Sequence, residues 1–113
     1  MSNLLLGILL FFVMHIVIWV QVNGQFIWPW FKDNTLIISL FGIPISYILI
    51  LATKYIVAGF DGLLWPGRFV GFGAGMIVMV LFTWYFLGEG LTTKTLASLL
   101  IATGLVCIQV FWK

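Results

Sequence analysis

Four long apolar runs, separated by short polar or turn-forming stretches, dominate the pattern of the chain. The runs cover about residues 4–22, 35–53, 59–87 and 92–112. A transmembrane helix needs about 20 consecutive apolar residues to cross the hydrocarbon core of a bilayer, and each run has roughly that length or more. The pattern therefore predicts an all-α membrane protein, in which four transmembrane helices form a single domain over residues 1–113 and both termini lie on one side of the membrane.

The composition agrees with a bilayer protein and excludes several other classes. Hydrophobic residues make up 64% of the chain and charged residues 7%, whereas soluble domains contain about 25% charged residues. The five basic and three acidic residues are scattered singly, without the run of like charges that marks a nucleic-acid partner. A lone Cys107, one histidine and three acids do not make a metal-ligand or nucleophile pattern. We therefore expect the lipid bilayer as the surrounding partner, with no nucleic acid, no enzyme activity, no cofactor and no metal.

Glycines recur at a helical spacing at the start of the third run. Gly67, Gly71 and Gly75 are four residues apart, so they remove the side chains from one stripe of a helix. In lipid, small residues at this spacing allow two helix backbones to approach closely. The stripe predicts helix packing, and the partner helix lies either in the same chain or in a second copy.

Prolines affect the second and third runs in different ways. Pro44 lies inside the second run and predicts a bend there, because proline lacks the backbone N–H of a regular helix. The third helix has two possible starts. It begins near residue 59, or Asp61-Gly62 and Pro66-Gly67 are loop turns and the helix begins after them.

The few ionisable or polar groups within the runs are the candidate substrate-binding residues. Arg68 is the main one, because an arginine at the centre of a membrane helix costs roughly 2.5 to 3.5 kcal/mol on insertion scales. If the third helix begins near Ala58, Asp61 shares a face with Arg68 and pairs with it; otherwise both charges lie among the headgroups. His15 makes either a structural polar contact or a substrate or proton contact. Tyr47, in the second run, completes the set.

Two segments carry a resemblance to a known family. They are the Gly73-Ala74-Gly75 step in the third run and the segment Thr83-Trp84-Tyr85-Phe86-Leu87-Gly88-Glu89-Gly90-Leu91 that ends it. With four short spans, they resemble the small multidrug resistance branch of the drug/metabolite transporter superfamily, mainly over residues 58–112. The resemblance implies antiparallel pairs of four-helix protomers, a substrate chamber lined by the first three spans and a dimer contact through the fourth. It also implies exchange of protons for a small cationic or lipid-linked substrate.

The first run departs from that family in its charge. The family carries a glutamate in the middle of its first span, whereas the ionisable group at comparable depth here is His15. Alignment with the family pattern puts Arg68 near a chamber-facing position, which gives the chamber a positive charge. We therefore expect a transporter-like protein that handles an anionic or lipid-linked small molecule. The alternative is a non-transporting membrane subunit or scaffold that docks on a larger complex.

The distribution of basic residues bears on orientation and assembly. Four spans place Lys54, Arg68 and Lys113 on one side of the membrane and Lys32 and Lys94 on the other. A bias of three against two is small, and it suits a chain that inserts both ways. We expect a homodimer, antiparallel or parallel, in a bacterial inner (plasma) membrane.

Overall fold

A computed structural model describes residues 2–112, and Lys113 lies outside them. The helices are α1 (Asn3–Asn23), α2 (Pro29–Asp33), α3 (Thr35–Ser39), α4 (Gly42–Gly59), α5 (Trp65–Leu87) and α6 (Thr93–Phe111), with a 3-10 turn at Gly24–Phe26.

Within residues 2–112, four helical segments are long and apolar enough to cross a membrane. They are Asn3–Phe26, Thr35–Gly59, Trp65–Leu87 and Thr93–Phe111. The prediction of an all-α protein with four membrane-spanning helices is confirmed at this level.

Local capping sets several of the helix ends. The Ser2 hydroxyl accepts a hydrogen bond from the Leu5 backbone N–H at 3.1 Å, and α1 starts there. Thr92 caps α6 in the same way, because its hydroxyl accepts a hydrogen bond from the backbone N–H of Thr95 at 3.2 Å. At its C-terminal end, α5 stops at Gly88, whose left-handed φ of 69° suits glycine.

The second span is interrupted at Leu40–Phe41, between α3 and α4. Pro44 explains the position, because a regular helix would need its missing N–H to bond the Leu40 carbonyl, four residues earlier. That carbonyl instead accepts from the Ile43 backbone N–H at 3.2 Å, which tightens the turn. On the neighbouring α1, the Gln21 side-chain amide donates to the Ile38 carbonyl at 3.1 Å and stabilises the interruption. The helix is therefore interrupted one turn before Pro44, near the position of the predicted bend.

The second span ends, and the third span begins, at residues that differ from those predicted. Helix α4 continues to Gly59 instead of ending at residue 53, and α5 begins at Trp65 instead of residue 59. Asp61 and Gly62 reverse the chain between them, with left-handed φ angles of 56° and 87°. Pro66 then occupies the first turn of α5, where a missing N–H costs little. Of the two alternatives, the one in which Asp61 shares a helical face with Arg68 is therefore wrong, because Asp61 and Gly62 form a turn; Pro66 and Gly67, however, belong to the helix.

Helix α1 is the centre of the bundle. It packs most extensively against α4 and then against α5, whereas α4 and α5 have little contact with each other. The buried core joins the three helices and consists of Phe11, Met14, Ile45, Ala52, Ile56 and Ala74. Helix α6 packs on α5, and none of its described residues is buried. The result is a three-helix core with a fourth helix attached to its side.

Candidate functional site

The weak contact between α4 and α5 leaves a cavity of about 670 Å³, here called the α1–α4–α5 cavity. Its floor is formed by α1, and its walls are formed by α4 and α5. The floor residues are Phe11, Met14, His15 and Ile18. The volume lies within the range of about 300–1,000 Å³ that is usual for small-molecule sites.

The glycine stripe of α5 lies along this cavity and packs within the same chain. A Cβ atom added to Gly67 would lie 2.8 Å from Cγ2 of Ile56 on α4. At Gly71 the nearest atom would be Cε1 of Phe11 on α1, at 3.1 Å. The stripe therefore has its partner helices in its own chain, which answers the question that the spacing left open.

His15 lies beside the deep end of the stripe. A Cβ atom added to Gly75 would lie 2.8 Å from Cε1 and 3.0 Å from Nδ1 of the imidazole. The side chain is half-buried and lines the cavity. Any side chain larger than hydrogen at Gly75 would push the ring from this place, so the glycine positions the histidine.

Arg68 lines the same cavity from the first turn of α5, and its residue is exposed. At 1.5 Å of rise per residue, Arg68 and Gly75 are about 10 Å apart along the helix axis. The cavity thus carries a permanent positive charge near one end of the span and an imidazole about two turns deeper. Its described lining includes no acidic residue.

Asp61 and Tyr47 are not among the residues that line the cavity. Asp61 is exposed in the turn between α4 and α5, where its left-handed backbone belongs to the chain reversal. Tyr47 is 66% exposed on the outer surface of α4. The structure therefore brings together His15 and Arg68, two of the four candidate residues.

Sequence reasoning missed part of the site. Leu49, Ile56 and Phe72 line the cavity, but nothing in the sequence distinguishes them from the other apolar residues of α4 and α5. Thr53 carries a weak signal, because it follows Ser39 and Ser46 at a heptad spacing, and it does line the cavity.

A second, smaller hollow of about 360 Å³ separates α5 from α6. Gly73 lies at its edge, where an added Cβ atom would be 3.3 Å from Cγ2 of Val106. Cys107 and Thr103 also line this hollow, but the Thr103 hydroxyl donates to the Leu99 carbonyl of its own helix at 2.8 Å. The hollow therefore presents an almost purely apolar surface.

Aromatic and polar contacts hold α1 to α5 at the other end of the bundle. The indole Nε1–H of Trp19 donates to the Thr83 hydroxyl at 3.1 Å, and both side chains are buried. The Trp19 ring also lies 5.5 Å from the rings of Phe82 and Phe86. These contacts fix the relative positions of the cavity floor and one of its walls.

Comparison with known proteins finds no family model, no curated protein and no solved structure that matches this chain.

Proposed function

We propose that the chain is a small membrane transporter that takes an anionic or lipid-linked small molecule into the α1–α4–α5 cavity. The observation that carries the proposal is the charge of this cavity. Arg68 lines it, and no acidic residue is among its described lining residues.

The electrostatics of such a site favour anions. A guanidinium remains protonated at all physiological pH values and presents planar donors that match a carboxylate or phosphate. An anion beside Arg68 would offset its charge, whereas a cation would add a second positive charge to the cavity. His15 adds a polar group deeper in the cavity, within reach of a ligand that extends from Arg68.

The proposal includes assembly as a homodimer. In each protomer α4 and α5 diverge, so the cavity is open on the side between them. A second copy that faced this side would complete an enclosed chamber with two arginines and two histidines. The resemblance to small multidrug resistance proteins supports the same arrangement.

The alternative is a non-transporting subunit that docks on a larger membrane complex. The observation in its favour is α6, which packs on one side against α5 and has no buried residue within Thr93–Phe111. A helix so loosely held by its own chain offers surface to another membrane protein.

Uptake into liposomes tests the transport proposal. We expect protein reconstituted in neutral lipid to speed the movement of radiolabelled octyl phosphate and not of octyltrimethylammonium, which has the same chain and the opposite charge. Arg68→Gln should remove this uptake, because it removes the charge of the cavity.

Lys54→Gln is the matched control for this substitution. Lys54 is exposed on α4, and its Nζ lies 5.6 Å from the centre of the Tyr55 ring instead of lining the cavity. The Lys54→Gln variant loses the same charge as Arg68→Gln and should keep full uptake of octyl phosphate. If neither ligand moves faster than in protein-free liposomes, the transporter proposal is wrong and the subunit alternative is favoured.

A further inference from the structure

The open side of the α1–α4–α5 cavity continues into apolar surface. Leu49 and Phe72 line the cavity within the spans and are 39% and 43% exposed. In a membrane span, exposed apolar side chains face hydrocarbon. In a protomer that is not covered by a second copy, a hydrocarbon chain that lies in the cavity can therefore leave between α4 and α5 without passing a charged group.

The charged group of the cavity lies near the level of the lipid headgroups. Arg68 is in the first turn of α5, three residues after Trp65, which is 70% exposed. Tryptophan rings concentrate at the membrane–water interface, so Trp65 marks that level at the start of α5. The cavity thus has its charge at the headgroup level and its apolar surface deeper in the bilayer. A lipid-like amphiphile in one leaflet has its headgroup and chain in the same order.

We propose that the ligand of this cavity is a single-chain amphiphile with a phosphate-type anionic headgroup, drawn from the membrane. The headgroup pairs with Arg68, and the chain lies over Phe11 and Met14 on the floor. The volume of about 670 Å³ suits one chain and its headgroup. This inference rests on the proposed function and narrows its substrate to a membrane-derived amphiphile, as opposed to a water-soluble anion.

Binding to purified, full-length protein in nanodiscs of zwitterionic lipid tests the inference without any variant. Three probes separate charge from chain: dodecyl phosphate, dodecyltrimethylammonium and butyl phosphate, each corrected for uptake by empty nanodiscs. We expect dodecyl phosphate to bind about tenfold more tightly than either of the others, because it alone supplies both the charge-assisted hydrogen bonds and the chain. A preference below about threefold over the cation or the short phosphate would overturn the inference.

Three variants locate the headgroup. Arg68→Gln should weaken dodecyl phosphate binding about tenfold, whereas Arg68→Lys, which keeps the charge, should retain most of the affinity. Lys54→Gln should leave it unchanged. Because Arg68 is exposed, its replacement should not prevent folding. Equal losses in Arg68→Gln and Lys54→Gln would mean that net charge, and not the cavity, attracts the probe, and this result would also overturn the inference.

Failure of this inference is distinguishable from failure of transport. Tight, Arg68-dependent binding of dodecyl phosphate without octyl phosphate uptake would leave the inference standing and refute the transporter. Uptake of octyl phosphate together with equal binding of butyl and dodecyl phosphate would refute the inference and leave the transporter proposal standing.

Discussion

At the scale of single residues, two glycines outside the stripe bring the backbones of α1 and α4 close together. A Cβ atom added to Gly7 would lie 2.8 Å from the Ile56 backbone nitrogen, and one added to Gly59 would lie 2.8 Å from the Leu4 Cα atom. Both contacts join α1 to α4, and both are made to backbone atoms that cannot rotate away. The two isolated glycines thus permit the most extensive contact in the fold.

Gly7→Ala should therefore destabilise the bundle by about 1–3 kcal/mol, because α1 and α4 must move apart to admit the methyl group. Gly104→Ala is the matched control, since Gly104 is also inside a helix but has no atom within 4 Å of an added Cβ. It should have no effect or stabilise the protein by up to about 1 kcal/mol through helix propensity. Unfolding of the purified variants in mixed micelles measures both; an equal change at the two positions would refute the close contact.

The glycine stripe shows what the sequence alone determines at this scale. The spacing of Gly67, Gly71 and Gly75 predicts packing, and each of them does approach another helix of the chain. Gly88, at the C-terminal end of α5, is another glycine outside the stripe. Its φ of 69° makes any side chain there strained for a separate reason, so Gly104 is the better comparison.

At the scale of the helices, the buried hydrogen bond between Trp19 and Thr83 links α1 to α5. Thr83 also donates its hydroxyl hydrogen to the Met79 sulfur at 3.3 Å, so the oxygen is oriented to accept from the indole. An indole N–H that loses its acceptor in a water-free interior pays a desolvation cost. This one contact therefore aligns two helices that line the cavity.

Thr83→Val keeps the shape of the side chain and removes the acceptor. We expect a loss of about 1–3 kcal/mol in the free energy of unfolding. Thr103→Val is the control, because the Thr103 hydroxyl is exposed and bonds only the Leu99 carbonyl of its own helix; it should change stability by less than about 0.5 kcal/mol. Comparable losses in the two variants would show that the Trp19 contact contributes nothing specific.

The number and approximate positions of the membrane-spanning helices could be predicted from the sequence. The residues at which the helices end, and the sides of the helices that face the core, could be predicted only in part. Hydropathy locates all four spans, and Pro44 predicts a bend in the second span, whereas the structure interrupts that span at Leu40–Phe41, before the proline. The start of α5 could not be predicted from hydropathy alone. The left-handed turn at Asp61 separates α4 from α5, but the apolar run continues on both sides of it. The outward position of Tyr47 could not be predicted, because α4 is apolar on most of its surface and no clear periodicity marks which of its sides is buried.

At the scale of the whole molecule, the helices of one chain do not fully enclose the cavity. The cavity is open between α4 and α5, and α6 lies to one side of α5. The charged lining residue could be recognised from the sequence, because an arginine in an apolar chain is conspicuous. The cavity itself could not, since it results from the divergence of two helices that each pack on α1. The homodimer, antiparallel or parallel, that would close it stays a prediction.

Labelling from the two sides of the membrane tests whether this dimer is antiparallel. The turn at residues 60–64 and the segment at residues 88–92 lie at opposite ends of α5, so they face opposite sides of the membrane. In a Cys107→Ala background, we introduce one cysteine at a time, Leu63→Cys or Gly90→Cys, and add a membrane-impermeant maleimide to intact cells. Both positions are exposed, so both accept the reagent when it reaches them.

An antiparallel pair requires that half of the chains insert in each orientation, as the small imbalance of basic residues permits. We therefore expect about half of the molecules to be labelled at each position in intact cells and the remainder after permeabilisation. A parallel dimer or a docked subunit has a single orientation, in which one position is labelled fully and the other not at all. Such a result would exclude the antiparallel chamber. The cavity of each protomer would then have to be closed by a parallel copy, by a different membrane protein or by lipid.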